Sequence, residues 1–314
     1  MKRVVVLGGS GFVGRALCRR LVARWPALCV VVPTRRAGHA QALRPLPTVL
    51  TPVADVHDAA TLANLLTGAD AVVNLVAILH GTAAAFERVH VELPRRLVAA
   101  CRAAGVTRVL HVSALGVGPE APSNYLRSKT QGEQVLQQAG LALTVLRPSV
   151  IFGAEDRFLN LFAKLQALAP VLPLGGSAAR FQPVWVEDVA EGLLRSLGRP
   201  LAGQPPIIEC AGPQVFTLAE LVQRAGRWSG HERLQIPLPA PLARLQAGLL
   251  EWMPGPTLMS RDNLDSMRVP NVASGALPGL DALGITVTAV EAVMPAVLAV
   301  RSGPSQLDRL RAGR

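Results

Sequence analysis

The sequence predicts an α/β fold, a doubly wound parallel sheet with a small C-terminal lobe on the substrate side. Three observations carry this expectation. Short continuous apolar runs alternate with segments of helical spacing through the first half of the chain. The first run feeds into a glycine-rich turn, GGSGFVG, and a helical pattern follows at once. The second half loses the alternation and gains proline from Pro170 onward. With 314 residues, the chain is long enough for one large α/β unit or two subdomains.

Residues 3–7 form an apolar run of the kind expected of a strand buried on both faces. Residues 15–24 are helical in pattern, with Ala16, Leu17, Leu21 and Val22 at core spacing. A second strand is expected at 29–32, a helix at 59–66 and a strand at 71–76. Residues 93–104 read as a helix closed by Gly105, and 108–112 as a strand. Residues 123–139 read as a helix closed by Gly140, and 143–146 as a strand ahead of Arg147-Pro148. Such alternation implies parallel strands joined by right-handed helical crossovers. Further on, helices are expected at 188–197, 218–228 and 242–252, and a strand at 207–210. These pieces are too few for a second large sheet.

The turn fixes the fold more closely. Gly8, Gly11 and Gly14 give the spacing GxxGxxG, with Gly9, Ser10, Phe12 and Val13 between them. Gly8 permits a tight turn, Gly11 lets backbone approach a pyrophosphate, and Gly14 lets helix and strand pack closely. The helix N-terminus supplies free N–H groups and a positive dipole end for phosphate. A Rossmann dinucleotide-binding sheet is therefore expected, with a nicotinamide dinucleotide as partner. Its core is placed at residues 1–150, completed by 183–215. The lobe takes 151–182 and 216–300, and 301–314 is a loose basic tail.

The end of the second strand selects the nucleotide. It reads Val32-Pro33-Thr34-Arg35-Arg36, with no carboxylate to take a ribose hydroxyl and two arginines suited to a 2′-phosphate. NADP(H) is therefore favoured over NAD(H). Asp55 and Val56 follow the third strand region, where an acid reaches the adenine amino group. Leu75, Val76 and Ala77 end the fourth strand near the cofactor.

Tyr125 is the sole tyrosine, and Lys129 is one of only three lysines. Four residues apart on a helix, they share a face. An ammonium beside a phenol is expected to lower its pKa and make it a usable acid or base. Lysine can also hold the nicotinamide ribose. Ser113, ending the fifth strand, can orient a substrate carbonyl. Hydride would then pass between C4 of NADP(H) and a small carbonyl or hydroxyl compound.

Bulk composition excludes several classes. The hydrophobic fraction is 50% and the charged fraction 17%, which describes a folded chain. The net charge of +11 comes from scattered arginines, and aromatics are only 4%, so a nucleic-acid-binding stripe is not expected. An anionic partner fits better: a phosphorylated cofactor or an acidic membrane surface. Cys18, Cys29, Cys101 and Cys210 form no CxxC pair, and the six histidines have no metal-ligand spacing. The N-terminal apolar run is too short for a signal peptide, and no run reaches the length of a membrane span. The expected location is cytoplasmic, or peripheral on the inner face of a bacterial membrane.

GGSGFVG, the set Ser113, Tyr125 and Lys129, and RPSVIFG together resemble the extended and atypical short-chain dehydrogenase/reductase superfamily. SNYLRSKTQGE, RPSVIFGAEDRFLN, RFQPVWVEDVA and PGPTLMSRDNLDSM are similar to bacterial relatives of the NADPH-binding alpha subcomplex subunit 9 of respiratory complex I. The resemblance implies that Pro148, Ser149, Val150 and Ile151 lie beside the nicotinamide, and that Asp188 starts a helix in a structural role. It also implies names of the epimerase/dehydratase kind for the bacterial proteins, and a nucleotide-bound structural role without turnover for the mitochondrial one. Arg180 lacks the partner set expected around a sugar nucleotide. Two functions follow: an NADP-preferring oxidoreductase or epimerase using Ser113, Tyr125 and Lys129, which is preferred, and a non-catalytic NADPH-binding accessory or assembly factor of a respiratory membrane complex. An RNA-binding relative has only the charge in its favour.

Overall fold

The computed structural model describes residues 1–199, 206–252 and 258–299, so the basic tail expected at 301–314 lies outside the described residues. Seven strands form the central sheet: β1 (Arg3–Leu7), β2 (Cys29–Val31), β3 (Val49–Leu50), β4 (Ala71–Asn74), β5 (Arg108–Val112), β6 (Ala142–Pro148) and β7 (Ile207–Cys210). Every pairing is parallel, and the order across the sheet is β7-β6-β5-β4-β1-β2-β3. The chain leaves β1 toward β2 and returns to the other side of β1 as β4. That reversal opens a crevice at the carboxyl ends of β1 and β4.

The continuous apolar run of β1 reflects two covered faces. Val4 and Val6 point to one side, against Leu17, Cys18 and Leu21 of helix Phe12–Arg24 and Val189, Leu193 and Leu197 of helix Val186–Gly198. Val5 and Leu7 point to the other, among Leu62 and Leu66 of helix Ala59–Leu66, Leu93, Leu97 and Cys101 of helix Leu93–Ala104, and Leu136 of helix Asn124–Gln137. Each fully buried Val or Leu contributes roughly 1.5–3 kcal/mol. An alternating strand would leave one helix layer without a floor.

A smaller lobe has its own core, where Phe152, Phe162, Leu174, Phe181, Leu221 and Met294 pack together. Its strands come only in pairs. Val171–Gly175 runs parallel to Leu234–Leu238, and Arg180–Phe181 antiparallel to Phe216–Thr217. The lobe contains helices that the periodicity did not reveal: Leu159–Leu168, Arg261–Ser266 and Val290–Leu298. The last carries Pro295 inside it, and the second has no buried residue to mark a core face. No described helix is long and apolar enough to cross a membrane.

Helix Leu93–Ala104 starts earlier than its pattern suggests. A helical turn at Ala83–Phe86 continues through a π-helical segment, Glu87–Glu92, into it. The widened segment lies against Gly132 of the Asn124–Gln137 helix. A Cβ at Gly132 would fall 1.8 Å from the His90 carbonyl oxygen, so only glycine allows this approach.

Candidate active site

The glycine turn closes tightly at both ends. Gly8 has φ of +77°, and a Cβ there would stand 3.0 Å from the Leu75 carbonyl carbon. A Cβ on Gly14 would stand 2.4 Å from the Gly9 Cα, so the helix start is pressed onto the turn. Gly11 is the N-cap of helix Phe12–Arg24, and neither a side-chain cap nor an acidic first-turn residue answers the helix N-terminus. The Arg15 guanidinium donates to the Ser10 carbonyl at 2.8 Å and pairs with Glu155. These features fit a dinucleotide: a cradle that side chains would fill, and a helix N-terminus open to an anion.

At the far end of the groove, Thr34 is buried and its hydroxyl donates to the Arg36 carbonyl at 3.1 Å. Arg35 and Arg36 are exposed, and neither takes part in an ion pair among the described residues. Asp55 turns back to accept the His57 N–H at 3.0 Å, while Val56 is buried. Burial holds the His57 imidazole below its usual pKa; Asp55 opposes this, and the charges of Arg88, Arg96 and Arg35 add to it. Arg88 and Arg96 therefore share this cationic corner. Sequence spacing did not reveal them, because they arrive from the helical segment after β4.

β4 ends at Asn74, so Leu75, Val76 and Ala77 lie in the loop beyond it. Leu75 N–H still donates to the Leu7 carbonyl at 2.9 Å, and Val76 N–H donates to Asn74 Oδ1 at 3.2 Å. Asn74 also lies 3.3 Å from His111 Nδ1. Next in the loop, Ile78 N–H donates to His90 Nε2 at 3.1 Å, which leaves the proton on Nδ1, 2.8 Å from the Ser128 hydroxyl. Burial, helped by the Lys129 charge, pulls the His90 pKa down to about 3, so its ring is neutral. It packs edge-on to the Tyr125 ring at 5.6 Å, and Phe86 completes the cluster.

Ser113 follows β5, held by its N–H to the Leu146 carbonyl at 2.8 Å. Its hydroxyl is buried and has no partner. Lys129 is only 2% exposed and donates from Nζ to the Val112 carbonyl at 2.7 Å, placing its charge beside Ser113. Burial lowers the ammonium pKa to about 8, and Glu133 opposes that shift. Glu133 is itself buried and held by Arg147, whose Nε lies 3.1 Å away. Sequence spacing had not singled out this pair.

One expectation is reversed. The ammonium four residues on was expected to lower the phenol pKa of Tyr125. Burial instead pushes that phenol up to about 12. The Lys129 Nζ is bound to the Val112 carbonyl, and its charge registers on His90 and His111, whose pKa values it depresses.

The helix carrying Tyr125 is capped twice. Ser123 accepts the Leu126 N–H at 3.1 Å. Asp262, from the lobe, accepts the N–H groups of Asn124 at 2.7 Å and Tyr125 at 3.1 Å. A second lobe residue, Asn271, accepts the Ser149 hydroxyl at 2.6 Å and the Val150 N–H at 2.9 Å. Pro148 accepts the Leu115 N–H, and Ile151 opens the short strand Ile151–Phe152. Asp188 sits in the first turn of its helix and accepts the N–H and hydroxyl of Thr288, which ties that helix to the loop ahead of helix Val290–Leu298. Among the described residues, no cluster of His, Cys, Asp or Glu could hold a metal ion.

The chain and its fold have known counterparts. Residues 4–211 match the NAD dependent epimerase/dehydratase family. The mouse mitochondrial NADH dehydrogenase [ubiquinone] 1 alpha subcomplex subunit 9 is 29% identical over 293 residues, covering 91% of this chain and 77% of that protein. A ceramide reductase from Caulobacter vibrioides is 30% identical over 250 residues, covering 79% of this chain and 76% of the other. Among solved structures, DesIV from Streptomyces venezuelae, a dTDP-glucose 4,6-dehydratase with NAD and TYD bound, superposes with a TM-score of 0.64 at 25% identity, covering 76% of this chain and 85% of that one. With the glycine turn, the parallel sheet and a match that spans most of its length, this chain belongs to the NAD dependent epimerase/dehydratase family.

Proposed function

We propose that the chain is a reductase that prefers NADP(H) and acts on a carbonyl compound through Ser113, Tyr125 and Lys129. The observation that carries this reading is the Ser113 hydroxyl, buried and unpartnered beside the Lys129 ammonium. A buried hydroxyl with no partner costs about 1–3 kcal/mol, so its retention is best explained by a ligand that answers it. Gly8, Gly11 and Gly14 would hold the pyrophosphate, with Gly9, Ser10, Phe12 and Val13 completing the turn. Arg35 and Arg36 would take the 2′-phosphate, and Asp55 and Val56 the adenine. Leu75, Val76, Ala77 and the stretch Pro148, Ser149, Val150 and Ile151 would line the nicotinamide side. Residues 1–150 with 183–215 form the dinucleotide unit in this reading, and 151–182 with 216–300 the substrate side.

The nicotinamide, when bound, supplies the hydride. Ser113 would donate a hydrogen bond to the substrate carbonyl oxygen. Tyr125, with its phenol pKa raised to about 12, is protonated at neutral pH and suited to give a proton to the developing alkoxide. Lys129, with its pKa near 8, remains mostly charged at neutral pH and would hold the nicotinamide ribose. The raised phenol pKa keeps the proton on Tyr125, the resting state that the reductive direction requires. The name of the Caulobacter relative supports an amphiphilic substrate. Replacing Tyr125 with Phe should lower turnover on the order of a thousandfold while leaving NADPH affinity within a fewfold. Unchanged turnover would remove the mechanism.

A second reading is favoured by the match to the mouse subunit over 91% of this chain. Here the protein holds NADPH as a structural component of a respiratory membrane complex, on the cytoplasmic face. Denaturing protein purified without added nucleotide, and identifying what is released by mass spectrometry, separates the two. Stoichiometric NADPH supports the structural reading, and an empty site with reversible NADPH binding supports the reductase.

A further inference from the structure

The lobe helix Ala240–Trp252 faces the wrong way for a solvated helix. Only Ala243 and Ala247 are buried, Ala243 against Gly175 of the strand beneath. Leu242, Leu245, Leu249 and Trp252 are 52%, 61%, 65% and 88% exposed. At about 100° per residue these four fall within an arc of roughly 80°. The polar side chains of the helix are instead occupied by the protein. Arg244 pairs with Asp265 at 2.7 Å, Gln246 donates to the Pro173 carbonyl at 3.2 Å, and Glu251 pairs with Arg261. Leucines therefore face outward while the charged groups of the helix are paired within the lobe, the mark of an interaction surface.

We propose that this face docks on an anionic lipid bilayer. Charge complementarity argues for that occupant. The chain carries a net charge of +11, and Arg233 and Arg268 are exposed on the same lobe outside any ion pair among the described residues, whereas Arg244 and Arg261 are neutralised by Asp265 and Glu251. Arg233 precedes Leu234, which with Ile236 adds exposed apolar surface on the strand beside the one the helix covers. A tryptophan at the end of an apolar stripe suits the headgroup level, and a helix of this length lies in the interface rather than across it. The helix that carries this face is linked to the helix of Tyr125. Glu251 holds Arg261, and its neighbour Asp262 caps the helix of Tyr125. Docking through this helix would thus hold the bilayer on the lobe side of the tyrosine, the side from which an amphiphilic substrate would be drawn. This delivery rests on the reductase reading; the docking itself does not.

The test is co-sedimentation of the full chain with vesicles of equal parts phosphatidylcholine and phosphatidylglycerol. Wild-type protein should sediment with them, and less with phosphatidylcholine alone. The double substitution Leu245→Glu, Leu249→Glu should reduce the bound fraction by about tenfold or more, with melting temperature and NADPH affinity unchanged. Tyr125→Phe should sediment as wild type, which separates failure of docking from failure of the reductase reading. The proposal is overturned if wild type stays in the supernatant, if it binds phosphatidylcholine alone equally well, or if the double variant sediments normally. It is also overturned if the wild type is a dimer in lipid-free solution that the double variant dissociates, because the occupant is then a second copy of the chain.

Discussion

The glycine turn is one unbroken run from Gly8 to Gly14; Gly11 and Gly14 press on the turn itself, while Gly8 and Gly9 press on Leu75, Val76 and Val32 at the ends of the two neighbouring strands. The surroundings of Tyr125 are assembled from distant segments: Phe86 and His90 from the π-helical entry, Ser113 after β5, Arg147 from β6, and Asp262 from the lobe. The first end is therefore fixed by close packing of one continuous turn on itself and on two strand ends beside it, and should fail there. The second responds to changes far away in the chain, because its charges and caps are lent by other elements.

The largest effect is expected at the local end. Gly14→Val would push a side chain into Gly9, and NADPH affinity should fall by more than about a hundredfold. Titration of the purified variant by fluorescence checks this, and retained affinity would show that the turn tolerates more than its geometry suggests. At the assembled end, Lys129→Met removes a buried ammonium. Below about pH 8 both folded and unfolded chains hold this proton, and the whole burial penalty stands. Between about 8 and 10.5 only the unfolded chain holds it, so wild-type stability should rise with pH through that window. The variant should gain up to about 3 kcal/mol at neutral pH, lose that rise, and lose turnover. Urea unfolding at neutral and alkaline pH measures it, and a destabilised variant would mean that the Val112 and Glu133 contacts outweigh burial.

Smaller effects sharpen the contrast. Replacing Arg35 and Arg36 with Ala should reduce the preference for NADPH over NADH by about tenfold without touching stability. Competitive binding of the two nucleotides reads this directly, and an unchanged ratio would make Arg88 and Arg96 the better candidates. Asp262→Ala removes the acceptor for two N–H groups at the helix of Tyr125 and should cost about 1 kcal/mol of stability. If the two ends are as separate as the contacts imply, it should lower turnover while NADPH affinity holds. Equal loss of both would break the comparison.

The alternation of apolar runs and helical spacing determined the sheet, its parallel strands and the glycine turn, because each depends on residues close together in the chain. The strand and helix at 108–112 and 59–66 have the bounds expected from periodicity alone. Tyr125 and Lys129 were legible as a pair because residues four apart share a helix face. Their electrostatics were not, because burial is a property of the assembled site: it raised the phenol where a neighbouring charge was expected to lower it. Gly132, His90, Asp262 and Asn271 left no sequence signal, since each matters through a partner far along the chain: His90, Ser128, Tyr125 and Ser149 respectively. Local pattern decides which backbone forms and which face is apolar. Only tertiary contact decides which polar groups lose water, and that loss sets the pKa values and hydrogen bonds on which chemistry at Tyr125 depends.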